Sequence, residues 1–147
     1  MNQPLEIFIP GTIRAKQRPR FNSKLKIAIT HPQTVAYENL IKHIFTQKYP
    51  QHTPIVEEPI KLTMIINYAV PKSTSKKKAH LMLTGHIRPT KKPDCDNVLK
   101  QIDALNKIAF HDDSQIVDVV LSKKYSQIEG VFIKLEVIKL NQIDIQL

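Results

Sequence analysis

The sequence predicts a single α+β domain spanning residues 1–147, with about five strands in a mixed or mainly antiparallel sheet and two main helices packed on it. Strand-type alternation marks several short stretches, and helical periodicity marks two longer ones. A chain of 147 residues with 41% apolar content is one domain in size. It buries roughly two-thirds of its unfolded surface, so it needs no disulfide or structural metal to fold.

Leu5–Ile9 reads as a strand ended by Pro10-Gly11, and Lys26–Thr30 as a second. A helix follows from Pro32 to Lys48, with Tyr37, Leu40, Ile41, Ile44 and Phe45 as its buried stripe. Proline suits its first turn. Lys61–Val70 alternates, with Leu62, Met64, Ile66, Tyr68 and Val70 to one side, and apolar Ile65 on the other predicts a central strand. Ser75–Leu83 reads as a short helix capped by Ser73 or Ser75, and Gly85–Pro93 as a loop. From Asp96 to about Phe110 the pattern is helical, with Val98, Ile102, Leu105 and Ala109 inward and Asp96, Lys100, Asp103 and Lys107 outward. Asp96 is the expected N-cap. Ile116–Tyr125 and Val131–Leu140 read as a hairpin around Glu129-Gly130. Residues 141–147 form a tail, alternating at Ile143, Ile145 and Leu147, that extends a strand or docks on a partner subunit.

No apolar run approaches the ~20 residues of a membrane span, and the N-terminus has no signal-peptide pattern. The single cysteine, Cys95, excludes an intramolecular disulfide and fits a reducing cytoplasm. It reads as a small side chain turned away from any site. His31, His43 and His52 show no ligand spacing.

The formal charge of +9 is uneven. Residues 1–92 carry 16 Lys and Arg against 4 Asp and Glu, whereas residues 93–147 carry 6 against 9. Such asymmetry points to a polyanion, and nucleic acid is favoured over an anionic membrane because no basic amphipathic helix accompanies it. One acid-free block holds Arg14, Lys16, Arg18, Arg20, Lys24 and Lys26, and a second holds Lys72, Lys76, Lys77, Lys78, Arg88, Lys91 and Lys92. Arginine suits bidentate phosphate contacts. Phe21 could stack on a base, but the plainer expectation is that it anchors the first block on the core, and Lys123 and Lys124 are expected to add phosphate contacts near the hairpin turn.

Six of the thirteen acids lie between Lys92 and Asp118: Asp94, Asp96, Asp103, Asp112, Asp113 and Asp118. Crowded carboxylates repel one another, and a chain that crowds them beside a basic surface does so to hold a divalent cation. For Asp103 and Lys107 the plain reading is an exposed i,i+4 ion pair. Whether Asp112 and Asp113 meet Asp94 and Asp96 depends on tertiary folding.

The runs D-C-D-N-V-L-K, D-A-L-N and D-D-S-Q-I-V-D, with the Pro-Lys-Ser-Thr-Ser-Lys-Lys-Lys run and Arg18-Pro19-Arg20 upstream, resemble the RusA family of Holliday junction resolvases of bacteria and their phages. The resemblance implies a RusA-like fold and an active site of Asp94, Asp96, Lys100 and Asp113, with Asp112 and Asn97 also matching the pattern. It implies metal binding by Asp94, Asp96 and Asp113, joined by Asp112. Hard oxygen ligands favour Mg²⁺, with Mn²⁺ as substitute. It further implies four-way junction DNA as partner, a homodimer whose two-fold symmetry matches paired nicks, and a role in DNA recombination and repair in the cytoplasm of a bacterium or as a prophage product. Nuclease action on other branched DNA, and DNA binding without catalysis on the same scaffold, are the alternatives. One departure stands out. The family places three residues between the motif lysine and the aspartate of D-A-L-N, and here only Gln101 and Ile102 separate Lys100 from Asp103. One missing residue rotates a following α-helix by about 100°, so either the helix adjusts or its downstream face is re-used.

Overall fold

The computed structural model describes residues 3–139. Leu140 and the tail at 141–147 lie outside the described residues. The elements in order are β1 (Leu5–Pro10), β2 (Arg20–Asn22), β3 (Ile27–Ile29), α1 (Pro32–Lys48), β4 (Ile60–Ala69), α2 (Lys76–Leu83), α3 (Cys95–Leu99), a 3₁₀ segment (Lys100–Leu105), a 3₁₀ turn (Asp113–Gln115), β5 (Ile116–Ser126) and β6 (Gly130–Val137). Four strands form a mixed sheet in the order β1-β6-β4-β5, and β2 and β3 form a separate two-stranded ribbon.

β4 is central, as its two apolar faces predict. It pairs antiparallel with β6, Met64 opposite Ile133, and parallel with β5, Met64 opposite Leu121. The expected hairpin of the last two strands is therefore corrected: β5 and β6 bracket β4 and do not pair with each other. Two strand spacings are about 9.6 Å, a distance that three extended residues, Gln127–Glu129, can cross at the end of β4. Glu129 Oε1 accepts the Ala69 N–H at 3.3 Å there. Alternation alone could not show this, because it reports faces and not neighbours. Gly130 lets β6 start close against β1, since a Cβ at that position would lie 2.5 Å from Ile9 O and against the Phe8 ring.

The inward residues of β1, β4 and β6 form one core with Tyr37, Ile41 and Phe45 of α1 and with Val98, Ile102, Leu105, Ala109 and Phe110. Leu40, expected in the buried stripe of α1, is exposed, and Thr34 is buried instead. α2 is capped by Ser75, whose side chain accepts the Lys78 N–H. The helix expected from Asp96 to Phe110 is corrected to five α-helical residues followed by the 3₁₀ segment, with Asp94 rather than Asp96 at the N-cap position. Phe21 is also corrected. It does not anchor its loop but stands 65% exposed on the ribbon. No helix among the described residues is long and apolar enough to cross a membrane.

Candidate active site

The loop entering the acidic stretch is pinned before it reaches Asp94. Arg88 Nε donates to Lys123 O of β5 at 2.8 Å, and Lys123 Nζ donates to Lys91 O and, at 3.1 Å, to Pro93 O. The ammonium groups of Lys91 and Lys123 lie 4.8 and 5.5 Å from the centre of the Tyr68 ring, a cation–π arrangement. The Tyr68 hydroxyl donates to Lys92 O at 3.3 Å. Burial, then nearby Glu129, pushes the Tyr68 phenol up, which keeps it a donor. Asp94 opens α3, and its carboxylate accepts from Lys92 Nζ at 3.0 and 3.2 Å. Asp96 lies exposed in the first turn. Lys100 Nζ donates to Asn97 Oδ1 at 3.3 Å. Cys95 is half-buried and packs against the core.

The shortened spacing after Lys100 is absorbed by a change of helix type. In an α-helix, residues four apart differ by about 40° in direction; in a 3₁₀ helix, residues three apart return to the same direction. The 3₁₀ segment begins at Lys100, so Lys100 and Asp103 keep a common face while Gln101, Ile102, Ala104 and Leu105 are buried. Lys107 has φ 66°, past the end of that segment, which ends the helical register on which its pairing with Asp103 was expected.

Asp103 instead turns to the first basic block. Its Oδ2 accepts from Lys16 Nζ at 2.9 Å, and the same ammonium lies 3.3 Å from Glu38 Oε1 of α1. Burial pulls the Lys16 pKa down, but hydrogen bonds and charge from Asp103 and Glu38 outweigh it and leave the pKa above its ordinary value. The backbone is tied in the same region: Lys16 N–H donates to Asn97 O at 2.9 Å, and Gln101 Nε2 donates to Arg14 O at 3.3 Å. Asp103 also meets Asp113. The Asp103 side chain is the largest cause raising the Asp113 pKa, followed by burial and by the charges of Asp103 and Asp112, while the Asn106 side chain opposes the rise. Asn106 Oδ1 is buried without a hydrogen-bond partner.

The D-D-S-Q run divides its roles. The Asp112 side chain accepts the Ser114 N–H at 3.0 Å, and Gln115 Oε1 accepts the Asp112 N–H at 2.9 Å, a capping box on the 3₁₀ turn. Hydrogen bonds from the Ser114 side chain and backbone hold the Asp112 pKa below its ordinary value. Gln115 Nε2 donates to Ile55 O and Glu58 O, both at 3.1 Å, which fixes the turn to the connection before β4. The run thus presents Asp113 and uses its neighbours to hold it.

Among the described residues, no three of the His, Cys, Asp and Glu side chains gather into a metal-holding group. The pair that does meet, Asp103 with Asp113, fits a hard divalent cation. Asp103 raises the Asp113 carboxyl above its ordinary value, and a cation placed between like charges relieves that repulsion. Magnesium keeps several waters and is commonly held by one or two carboxylates plus substrate phosphates. Asp94 stands at the N-cap of α3, engaged by Lys92, and Asp96 lies in its first turn.

Of the cations expected on nucleic acid, Arg14, Arg18, Arg20, Lys72, Lys76, Lys77 and Lys78 are exposed. Lys16, Arg88, Lys91 and Lys92 are engaged with the protein itself, as is Lys123. Sequence reasoning missed Asp103, Glu38, Asn106 and Gln115 as parts of this arrangement. Glu38 carried a signal, as one of only four acids in the first 92 residues.

The model of the family described as endodeoxyribonuclease RusA matches residues 10–136. "Uncharacterized protein YqaN" of Bacillus subtilis (strain 168) is 36% identical over 128 residues, covering 84% of this chain and 89% of its own length. The chain belongs to the endodeoxyribonuclease RusA family. That membership makes it, in general terms, a Holliday-junction-resolving nuclease, of a family that depends on divalent metal and acts on branched junction DNA in recombination.

Proposed function

We propose that this protein is a Mg²⁺-dependent endodeoxyribonuclease that binds four-way junction DNA as a homodimer in the cytoplasm and resolves it by paired symmetric nicks. The observation that carries this reading is the Asp103–Asp113 carboxyl pair, set beside α3 and the first basic block in a chain of this family. Asp94, Asp96 and Asp113 are the proposed metal-binding acids. Asp103 is added to them, and Asp112 serves first as the cap that aims Asp113. A bound divalent ion supplies an activated water and polarises the scissile phosphate.

The chain's own groups do the rest. Lys100, one turn after Asp96, offers an ammonium to charge developing on the phosphate. Lys16 holds Asp103 in place. The exposed cations Arg14, Arg18, Arg20, Lys72, Lys76, Lys77 and Lys78 take neighbouring phosphates and offset the repulsion between DNA and carboxylates. The loop 88–93, clamped on β5 and Tyr68, fixes where Asp94 begins.

The test is cleavage of a labelled four-way junction with Mg²⁺, beside flaps and plain duplex, wild type against Asp96→Asn. Paired nicks confined to the junction, lost in the variant while binding persists, are expected. Cleavage of flaps at equal rate would make it a broader branched-DNA nuclease. Tight binding with no nicks from wild type would make it a binding protein.

A further inference from the structure

We infer that the β2–β3 ribbon is an apolar wedge that enters the branch point of the DNA and stacks on bases exposed there; this rests on the junction-binding reading above. Phe21, Leu25, Ile27 and Ile29 are 65%, 64%, 50% and 43% exposed, four large apolar side chains within nine residues. A lone two-stranded hairpin is marginal in water, and here apolar groups stand exposed on both of its faces, Phe21 on one and Ile27 with Ile29 on the other, which marks an interaction site.

The ribbon is shaped to present these groups. Phe21 lies opposite Ala28, too small to cover the ring, and Ile27 and Ile29 lie opposite Asn22 and Arg20. The tip is ordered by Asn22, whose Oδ1 accepts the Lys24 N–H at 3.0 Å and the Leu25 N–H at 3.1 Å, with Lys26 at φ 53° completing the turn. This Asx arrangement sets Leu25 at the apex.

Charge selects the occupant. Arg18, Arg20, Lys24 and Lys26 surround the apolar groups, and no acidic residue occurs between Glu6 and Glu38. A second copy of this basic ribbon is repelled. A polyanion that also offers apolar faces is attracted, and DNA with exposed bases is such a ligand. Apolar side chains inserted between base steps and aromatic stacking on unpaired bases are established ways to hold DNA. Intact duplex withholds its base faces, whereas a branch point does not, so the wedge confers structure selectivity on the proposed resolvase. The root of the ribbon is fixed: Gln17 N–H donates to Thr34 Oγ1 at 3.2 Å, and Lys16 is tied to Asp103 and Asn97. One strut therefore sets both where the wedge enters and where the acids stand.

The test places 2-aminopurine beside the branch point of a four-way junction and compares wild type with the Phe21→Ser, Leu25→Ser double variant, without metal so that nothing is cut. Wild type is expected to raise the fluorescence by unstacking the probe. The double variant is expected to lose that rise and about tenfold of its preference for junction over duplex, while duplex affinity and its salt dependence stay unchanged. A thermal melt checks that the variant folds; Arg20→Ala, Lys24→Ala is the second variant, expected to weaken junction and duplex alike. Equal fluorescence and preference in wild type and the double variant would overturn the wedge. So would loss of self-association by the free double variant in sedimentation, which would make the ribbon a contact between copies. Absence of cleavage when metal is added defeats the resolvase reading alone, because the fluorescence needs no cutting.

Discussion

The acidic segment from Asp94 to Gln115 and the ribbon from Arg20 to Ile29 are held by opposite means. Nearly every acid in the segment has a partner: Asp94 has Lys92, Asp103 has Lys16, Asp112 has the turn it caps, and Asp113 has Asp103 and Asn106. The ribbon has its own pairing and its Asx turn, and its large side chains face outward. The difference teaches that a count of basic residues conceals two kinds of cation. Lys16 and Lys92 fix carboxylates; Arg18, Arg20, Lys24 and Lys26 form no ion pair among the described residues and stay available to a partner.

Substitutions can break this contrast at several strengths. The largest effect is expected from Asp113→Asn, a loss of cleavage on the order of a thousandfold with junction affinity retained. The same change is expected to raise the melting temperature of the metal-free protein. Asp113 has a folded pKa above its unfolded one, so near neutral pH its ionisation favours the unfolded chain, and removing the charge removes that penalty. A lower melting temperature for Asp113→Asn would contradict the crowding of the two carboxyl groups.

Lys16→Met is expected to slow single-turnover cleavage by roughly 10- to 100-fold, as for a group that orients a ligand. Its slope of log affinity against log salt should match wild type, and Lys16→Arg should restore part of the rate. Arg20→Ala should do the reverse, lowering that slope by about one with little change in rate at saturating DNA. If Lys16→Met also flattens the salt dependence, Lys16 belongs with the ribbon cations and the contrast fails there.

Gly130→Ala touches neither region and is expected to destabilise by about 1–3 kcal/mol, because its methyl group meets the Ile9 carbonyl; chemical denaturation reads this directly. The smallest effect concerns pH. Asp112 has a lowered folded pKa, so its cap stabilises the turn above the ordinary carboxylate value and is lost as pH falls through the lowered one. The acid limb of a stability profile should therefore shift slightly for Asp112→Asn.

Strand faces were legible in the sequence because alternation reports burial directly: Leu62, Met64, Ile66 and Tyr68 are all buried, and β4 is central. Strand neighbours were not, because the crossing at Gln127–Glu129 depends on chain reach, which alternation does not report. The acidic segment was legible as a candidate site because Asp94, Asp96 and Asp113 stand in runs that resemble the family's. The Lys16–Glu38–Asp103 link was not, because its three members lie on three elements and each has a plainer local reading. Phe21 was misread because an aromatic residue in a loop is ordinarily an anchor, and nothing local says that the loop turns back on itself through Asn22.

The 3₁₀ segment also sets how far this stretch of chain reaches along its axis. A 3₁₀ helix rises about 2.0 Å per residue against about 1.5 Å in an α-helix, so six residues reach about 12 Å where seven α-helical ones reach about 10.5 Å. Lys100–Leu105 therefore spans more than the axial length of a seven-residue α-helix with one residue fewer. The shorter spacing between Lys100 and Asp103 is offset by this longer rise, and Asp103 reaches Lys16.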